Sequence, residues 1–249
     1  FADGVVWDRM RQSMQVVDRE RAAGVYNDPL IGSGSLDVLW GGKGNDYLSG
    51  GAGGDFYIFG RGDGQDVIDD QGAFSFGPVK AGIDFVQFRG DVSASDMKLM
   101  RDGASEDLRI VLLDKDGNET SDTILVKGQF GGLRLNLGIF EDQLGGDAGL
   151  DYVSPNLIER YIFEDGTSLD FGEVAAQVIK NAATSGDDAI YGLLNSNTLD
   201  GGAGNDSLLG GAGGDYLEGG EGDDTIDGGA GDDLYQFASE DNGSDLVVE

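Results

Sequence analysis

Residues 201–236 read GGAGNDSLL GGAGGDYLE GGEGDDTID GGAGDDLYQ, four consecutive nine-residue units of the form Gly-Gly-x-Gly-x-Asp-x-U-x in which U is apolar. Two degraded units, ATSGDDAIY and GLLNSNTLD, precede them at 183–200. An earlier array at 32–58 contains GSGSLDVLW, GGKGNDYLS and GGAGGDFYI, and RGDGQDVID (61–69) follows at a shifted phase. Repetition at a fixed period is the sequence signature of folds built from stacked repeats.

Each nonapeptide predicts a tight turn followed by a short strand. Glycine tolerates positive φ, so the six Gly-rich positions can turn, and the three residues with a central apolar side chain can form a strand. Two units then make one coil of about 18 residues, and stacking of coils buries the eighth-position side chains between two thin sheets. The side chains predicted to stack there are Leu39, Leu48, Leu208, Leu217, Ile226 and Tyr235.

The sixth-position aspartates recur at a spacing of 18 residues, as in Asp188, Asp206 and Asp224. Stacked coils therefore place them in columns, and carboxylates a few Å apart repel strongly. A hard divalent cation removes this repulsion. Ca²⁺ accepts about six to eight oxygens in flexible geometry, backbone carbonyls included, whereas Mg²⁺ demands a near-ideal octahedron. The columns therefore predict calcium sites.

Composition argues against several other functions. The 249 residues carry 47 Asp+Glu against 16 Lys+Arg, and the net charge of −31 disfavours nucleic acid or an anionic membrane as partner. The chain has no His and no Cys, which excludes His-ligated zinc, a Ser-His-Asp triad and disulfides. It also lacks an apolar run long enough to span a membrane. We predict calcium as the ligand, no nucleic-acid partner, no membrane insertion and no enzyme activity in this segment.

The nonapeptides resemble those of the RTX (repeats-in-toxin) family, whose repeats form a calcium-loaded parallel β-roll. The resemblance covers residues 31–69 and 183–237 directly and implies two β-roll blocks, 31–72 and 183–249. In that family, one turn contributes the carbonyls of positions 2 and 4 and its Asp. The turn one coil later contributes the carbonyls of positions 1 and 3 and its own Asp.

Transferred to matching positions, the resemblance implies about six calcium ions. In the second block the implied ligands are Thr184, Gly186 and Asp188 with Gly201, Ala203 and Asp206; Gly202, Gly204 and Asp206 with Gly219, Glu221 and Asp224; and Gly211, Gly213 and Asp215 with Gly228, Ala230 and Asp233. In the first block they are Ser33, Ser35 and Asp37 with Gly50, Ala52 and Asp55. A phase shift adds Gly42, Gly44 and Asp46 with Arg61, Asp63 and Asp66, and Gly220, Gly222 and Asp224 with Glu240, Asn242 and Asp245. The unit at 192–200 departs from the pattern, with Asn197 in place of Asp.

We predict an all-β dominated fold in which two parallel β-roll blocks of RTX nonapeptide coils are separated by a mostly-β domain with short helices. This inter-block domain, 73–182, resembles the haemolysin-type calcium-binding-related domain found between such arrays. Its patterns predict a strand at 83–90, a helical turn at 93–98, a hairpin from 107–114 and 122–130, two strands within 156–171, and a final helix capped by Asp170 and Glu173.

Residues 1–30 are predicted to be the helical end of a preceding inter-block domain plus a linker. Asp8 can cap a helix with apolar residues at 10, 14 and 17, and Asp28-Pro29 predicts a turn into the array. FADGVVWD at 1–8 also matches FEDGTSLD at 163–170, which indicates a tandem array of modules. Neither an initiator Met nor a signal peptide is present, and the last residues stop within a predicted strand, so we expect a segment of a longer protein.

The RTX resemblance implies type I secretion and an extracellular location, with folding on calcium outside the cell. Tandem modules favour a calcium-binding structural module of a large secreted or surface-attached protein, of adhesin or surface-layer type, in which other modules bind a cell-surface or glycan ligand. The alternative is an accessory calcium-binding region of a secreted RTX enzyme or toxin with its catalytic domain elsewhere. The labile Asp28-Pro29 bond leaves open calcium-dependent self-cleavage, although a nonapeptide follows it directly.

Overall fold

The structure is a computed structural model that describes residues 26–70, 82–131, 157–193, 196–237 and 243–248, with the backbone of 15–16. The strands up to residue 170 are β1 (Gln15–Val16), β2 (Pro29–Ile31), β3 (Asp37–Leu39), β4 (Tyr47–Ser49), β5 (Phe56–Gly60), β6 (Gln65–Ile68), β7 (Phe85–Arg89), β8 (Met97–Met100), β9 (Leu108–Leu113), β10 (Glu119–Val126), β11 (Arg160–Ile162) and β12 (Ser168–Asp170). A 3-10 turn (Ala94–Asp96) precedes β8, and helix α1 (Phe171–Ala182) follows β12. The later strands are β13 (Ala189–Tyr191), β14 (Thr198–Ala203), β15 (Ser207–Ala212), β16 (Tyr216–Glu221), β17 (Thr225–Ala230), β18 (Leu234–Gln236) and β19 (Leu246–Val248).

The second array forms two thin parallel sheets, with strand orders β13-β15-β17-β19 and β14-β16-β18. Its strand pairing repeats at the predicted spacing of one coil, so Leu199 pairs with Leu217 and Leu208 with Ile226. These four side chains are buried in one cluster, while Tyr235 is half-buried against it. Strands β14 to β17 are six residues long rather than three, because the first positions of the next unit continue the strand.

The first array is built in the same way, but its two sheets continue into later strands. Their orders are β1-β3-β5-β7-β11-β12 and β2-β4-β6-β10-β9-β8. Phe85 of β7 pairs in parallel with Phe56 of β5, and Thr123 of β10 with Gln65 of β6, as if each opened a further coil. One hydrophobic core therefore runs from Leu30 in the array to helix α1.

The predicted elements of the inter-block stretch are present. Strands β9 and β10 form an antiparallel hairpin whose turn contains Gly117 at φ +83°. Helix α1 begins with the predicted capping box: Asp170 Oδ1 accepts the Glu173 N–H at 2.9 Å, and Glu173 Oε2 accepts the Asp170 N–H at 2.8 Å. The same helix buries Val174 in the first core and Ile179 in the second. In the described part of the chain, no helix is long and apolar enough to cross a bilayer.

Two predictions near the N-terminus are wrong. The helix expected over 8–17 is replaced at Gln15–Val16 by strand β1, which pairs with β3; the rest of that helix lies outside the described residues. Asp28-Pro29 is not a turn, because Pro29 begins β2 and pairs with Tyr47. Proline lacks an N–H but is tolerated as the first residue of a strand.

Candidate metal centres

The sixth-position aspartates of the second array are joined into ladders by backbone hydrogen bonds. Oδ1 of Asp206 accepts the N–H of Asp188, and Oδ1 of Asp224 accepts the N–H of Asp206, each at 2.8 Å. On the opposite edge of the coils, Oδ1 of Asp215 accepts the N–H of Asn197 at 2.7 Å. One oxygen of each of these carboxylates therefore serves the preceding coil, and we call these residues the ladder aspartates.

The first array carries the same ladders and extends one of them upstream. Oδ1 of Asp55 accepts the Asp37 N–H at 2.8 Å, and Oδ1 of Asp66 accepts the Asp46 N–H at 3.0 Å. Oδ1 of Asp46 accepts the Asp28 N–H at 2.7 Å. Asp28 was not among the predicted site residues, and the ladder places it at the sixth position of an earlier coil.

The second oxygen of most ladder aspartates is buried without a hydrogen-bond partner. A buried carboxylate oxygen that nothing satisfies is costly, and native folds rarely keep one without a ligand. Among the described residues, no lysine or arginine forms an ion pair with these carboxylates. The atoms concerned are Oδ2 of Asp46, Asp55, Asp66, Asp206, Asp215 and Asp224.

The glycines of each turn make room for these oxygens. A Cβ added to Gly201 would lie 2.5 Å from Oδ2 of Asp206, so only glycine leaves the space that this carboxylate uses. Gly202 and Gly204 have φ of +93° and +128°, a backbone region that residues with a Cβ rarely adopt. The repeated glycines thus follow from the geometry that surrounds the unpaired oxygen.

Burial makes the ionised form of these carboxylates costly. It raises the pKa of Asp66 to about 7, against the lowering effect of the Asp46 N–H, and the charges of Asp46, Asp63 and Asp122 raise it further. Burial likewise raises the pKa of Asp55 to about 6. The pKa values of the ladder aspartates in the second array, Asp206 and Asp215, are also raised, chiefly by burial. A bound cation offsets this cost.

The structure brings the paired turns of the second array together as predicted. The Gly204 N–H donates to the Glu221 carbonyl at 2.9 Å, and the Gly213 N–H donates to the Ala230 carbonyl at 2.8 Å. Turn 183–188 lies against turn 201–206 through the bond from Asp188 to the ladder. Asp245 Oδ1 accepts the Asp224 N–H at 3.1 Å, whereas Glu240 and Asn242 lie outside the described residues. The role of these groups as ligands stays a prediction.

In the first array, turn 32–37 lies against 50–55 and turn 41–46 against 61–66. The Asp63 carbonyl accepts the Gly44 N–H at 2.8 Å, so it is placed on the adjoining turn as predicted. The Asp63 side chain forms an ion pair with Arg89. The Arg89 guanidinium in turn lies 4.6 Å from the Trp40 ring centroid. The Arg61 side chain pairs with Asp91, at 3.2 Å.

Turns 32–37, 183–188 and 192–197 differ from the other turns at their ladder positions. The Ser33 N–H and hydroxyl donate to Asp37 Oδ2 at 2.6 and 2.9 Å. Asp188 is satisfied within its own turn, since the Thr184 N–H and hydroxyl donate to its Oδ2 at 2.6 and 2.9 Å. In the unit that departs from the pattern, the Asn197 amide nitrogen donates to the Leu193 carbonyl and to Asp215 Oδ1, both at 3.1 Å. Asn197 therefore supplies a neutral amide where the other units supply a carboxylate.

Sequence reasoning missed two aspartates that contact the turns of the first array from later strands. Asp84 Oδ1 accepts the Asp55 N–H at 2.6 Å, and Asp122 accepts the N–H groups of Gly62 and Gly64 at 2.9 and 3.2 Å. Asp84 continues a ladder, because Phe85 pairs with Phe56, whereas the residue that pairs with Asp66 is Ile124 and not Asp122. The signal that could have revealed Asp84 is the tripeptide Asp-x-U, which appears as Asp-Phe-Val at 84–86.

A family model for the RTX calcium-binding nonapeptide repeat matches residues 23–57, 182–217 and 209–237. The chain therefore contains RTX calcium-binding nonapeptide repeats. These repeats imply calcium binding. The available ligand atoms suit calcium, because the chain offers buried carboxylate oxygens and has neither His nor Cys. The match from residue 23 includes the coil of Asp28, which the sequence analysis placed outside the array.

No curated protein sequence matches this chain. Among solved structures, it is similar to the crystal structure of extracellular lipase LipA from Serratia marcescens, with 20% sequence identity and a TM-score of 0.28. That likeness covers 95% of this chain, which spans 35% of the length of the lipase chain. The predicted fold class, all-β dominated with parallel β-roll arrays, is confirmed by the observed sheets.

Proposed function

We propose that this RTX chain is a structural module that folds when calcium binds and that belongs to a large secreted or surface-attached protein of adhesin or surface-layer type. The row of buried Oδ2 atoms without partners carries this proposal. When bound, calcium supplies positive charge and accepts these oxygens as ligands. Everything else in the coils is arranged by the chain itself, through glycine turns and ladder hydrogen bonds.

The metal-free coils are expected to be unstable for two reasons. Glycine-rich turns lose much conformational entropy on folding, and the ladders bring like charges together in a chain of net charge −31. Each site that binds only the folded state adds RT ln(1 + [L]/Kd), about 1.4 kcal/mol at a tenfold excess over Kd. Ladder aspartates shared between neighbouring turns, such as Asp206, couple the sites, so folding is expected to be cooperative.

Calcium-dependent folding suits a protein that leaves the cell as an extended chain. In a cytosol poor in calcium the carboxylates repel, which keeps the segment able to pass a narrow type I secretion channel. Extracellular modules bind calcium with Kd of about 10⁻⁴–10⁻³ M, close to its concentration outside cells. Secretion by this route and attachment to a cell surface are part of the proposal.

Circular dichroism in the presence of a calcium chelator tests the proposal. We expect chelation to remove most of the β-structure signal and re-addition of calcium, but not of magnesium at the same concentration, to restore it. An unchanged spectrum would refute calcium-dependent folding. Mass spectrometry after incubation with calcium should show an intact chain, whereas fragments ending at Asp28 would support self-cleavage and a catalytic role.

The sequence of the complete protein separates the structural role from the alternative. Many tandem modules of this kind are expected for an adhesin or surface-layer protein. A single pair of arrays next to a catalytic domain would instead make the segment an accessory calcium-binding region of an enzyme or toxin.

A further inference from the structure

Three buried aspartates meet at the end of the first array. Asp55 is 0% exposed, Asp70 is 1% exposed and Asp84 is 7% exposed. Each offers one carboxylate oxygen, and these oxygens all lie within 4.8 Å of one another. Of the three, only Asp55 belongs to a predicted repeat site, and the match of the family model to the first array ends at residue 57.

The backbone holds the two added aspartates in place. Asp84 immediately precedes β7, and its Oδ1 accepts the Asp55 N–H at 2.6 Å. Asp70 follows β6, and its Oδ1 accepts the Gly51 N–H at 2.9 Å. Both residues therefore lie next to turn 50–55, each held by a hydrogen bond from that turn. In the chain, Asp70 directly precedes residues 71–83 and Asp84 directly follows them. Their positions follow from strand pairing rather than from a free surface loop.

The cluster contains unpaired oxygens and excess negative charge. Oδ2 of Asp55 and Oδ2 of Asp70 are buried without hydrogen-bond partners. Glu159 adds a fourth carboxylate, since its Oε2 accepts the Asp84 N–H at 2.7 Å. Within the described ranges, no lysine or arginine forms an ion pair with any of these four acids. Buried carboxylates of this kind are stable only when paired or bound to a metal.

We propose that Asp55, Asp70 and Asp84 form a further calcium site, which rests on the proposed calcium binding, shares Asp55 with a predicted repeat site and joins the first array to the strands that follow it. Two oxygens bound on opposite sides of one Ca²⁺ lie about 4.6–5.2 Å apart. The three carboxylate oxygens lie within 4.8 Å of one another, so a single Ca²⁺ can bind all three. Because Asp70 and Asp84 lie on either side of residues 71–83, the bound ion ties both ends of this stretch to turn 50–55.

Calcium counting on the full chain tests this site. Asp70→Asn and Asp84→Asn keep the shape of each side chain and remove its charge, and neither residue belongs to a predicted repeat site. Equilibrium dialysis against calcium should show one bound ion fewer for each variant and for the double variant. Asp116→Asn, which removes one charge from an exposed turn, is the matched control and should bind as many ions as the wild type. Wild-type stoichiometry in the double variant would overturn the proposal.

A second measurement applies if the variants fail to fold. Crystals of the wild-type chain grown with calcium should show an anomalous peak about 2.3–2.6 Å from oxygens of all three aspartates. Peaks between the repeat turns but none here would overturn this site and leave the proposed function standing. Absence of peaks in both places would refute the proposed function as well.

Discussion

At the residue scale, each ladder aspartate divides its two oxygens between two tasks. In Asp206, Oδ1 fixes the carboxylate by accepting the Asp188 N–H, and Oδ2 lies buried beside Gly201 with no protein donor. An asparagine could perform the first task but not the second, because an amide nitrogen in the place of Oδ2 would be a donor. The preference for aspartate at this position therefore indicates a ligand and not only a turn.

Asp206→Asn tests the assignment of the second oxygen. Asp206 belongs to two of the predicted sites, so the variant should bind fewer calcium ions. The calcium concentration at the folding midpoint should rise about tenfold or more, which corresponds to about 1.4 kcal/mol. Calcium titration followed by circular dichroism measures this. Asp232→Asn, at an exposed fifth position, should behave like the wild type. Equal midpoints for the two variants would contradict the site assignment.

Asn197→Asp makes the opposite change. The wild-type amide donates to the Leu193 carbonyl and to Asp215, so it stabilises its turn without a cation. A carboxylate would lose both bonds and repel Asp215. We therefore expect the variant to melt at a lower temperature than the wild type at low calcium, and to gain more stability than the wild type as the calcium concentration is raised. Differential scanning calorimetry at several calcium concentrations measures both effects. A wild-type response to calcium would show that Leu193 and its neighbours prevent binding in this turn.

At the element scale, a ladder behaves as a stack of coupled acids, and pH acts on it in the opposite direction to calcium. The raised pKa of Asp55, about 6, and of Asp66, about 7, mean that the metal-free fold holds more protons than the unfolded chain between about pH 4 and 7. Stability of the metal-free chain must then fall as pH rises through this range. Protons can partly replace the cation at acid pH.

Circular dichroism in calcium-free buffer checks the sign of this effect. Between pH 4.5 and pH 7.5 the folded fraction should decrease, because buried carboxylates lose protons that the fold retains more strongly than the unfolded chain. With saturating calcium the decrease should be absent, since the cation stabilises the ionised form. A rise in metal-free stability over the same pH range would show that the ladder carboxylates are not buried in this way.

The sequence predicts the repeated elements well because their signals are local. The period of nine, the apolar eighth position and the Gly-Asp turns appear within each unit, and the capping box at Asp170 and Glu173 lies within four residues. The wrong prediction at Gln15–Val16 came from apolar spacing alone. There the deciding interaction is pairing with β3, more than 20 residues away, which spacing cannot reveal.

Two aspartates near the site were missed from the sequence for the same reason. Asp84 follows Asp55 by 29 residues and Asp122 follows Gly64 by 58, so neither has the spacing of one coil. Only the strand pairing shows that Asp84 occupies a ladder position and that Asp122 lies beside turn 61–66. Tripeptides of the form Asp-x-U are so common that they identify a ladder position only when the paired strand is known. The repeat period in the sequence therefore reveals the regular coils. A site whose residues are separated by an insertion is revealed only by the strand register in the structure.

At the scale of the whole molecule, the described residues form two hydrophobic cores, and helix α1 bridges them. The first joins the first array to the following strands, from Leu30 to Val178, and the second joins the coils from Ile190 to Ile226. Helix α1 contributes to both. The Arg101 guanidinium also donates to the Gly192 carbonyl at 3.1 Å, which links the strand region to the start of the second array.

Leu217→Ala tests whether the two cores unfold separately. Leu217 is buried among stacked side chains of the second core, and its truncation should cost about 2–5 kcal/mol there. Hydrogen exchange with calcium present should then speed up at residues 198–236 and remain near the wild-type rate at 29–68. Leu99→Ala, a truncation of equal size in the first core, should produce the reverse pattern. Faster exchange throughout the chain in both variants would show that helix α1 couples the cores into one cooperative unit.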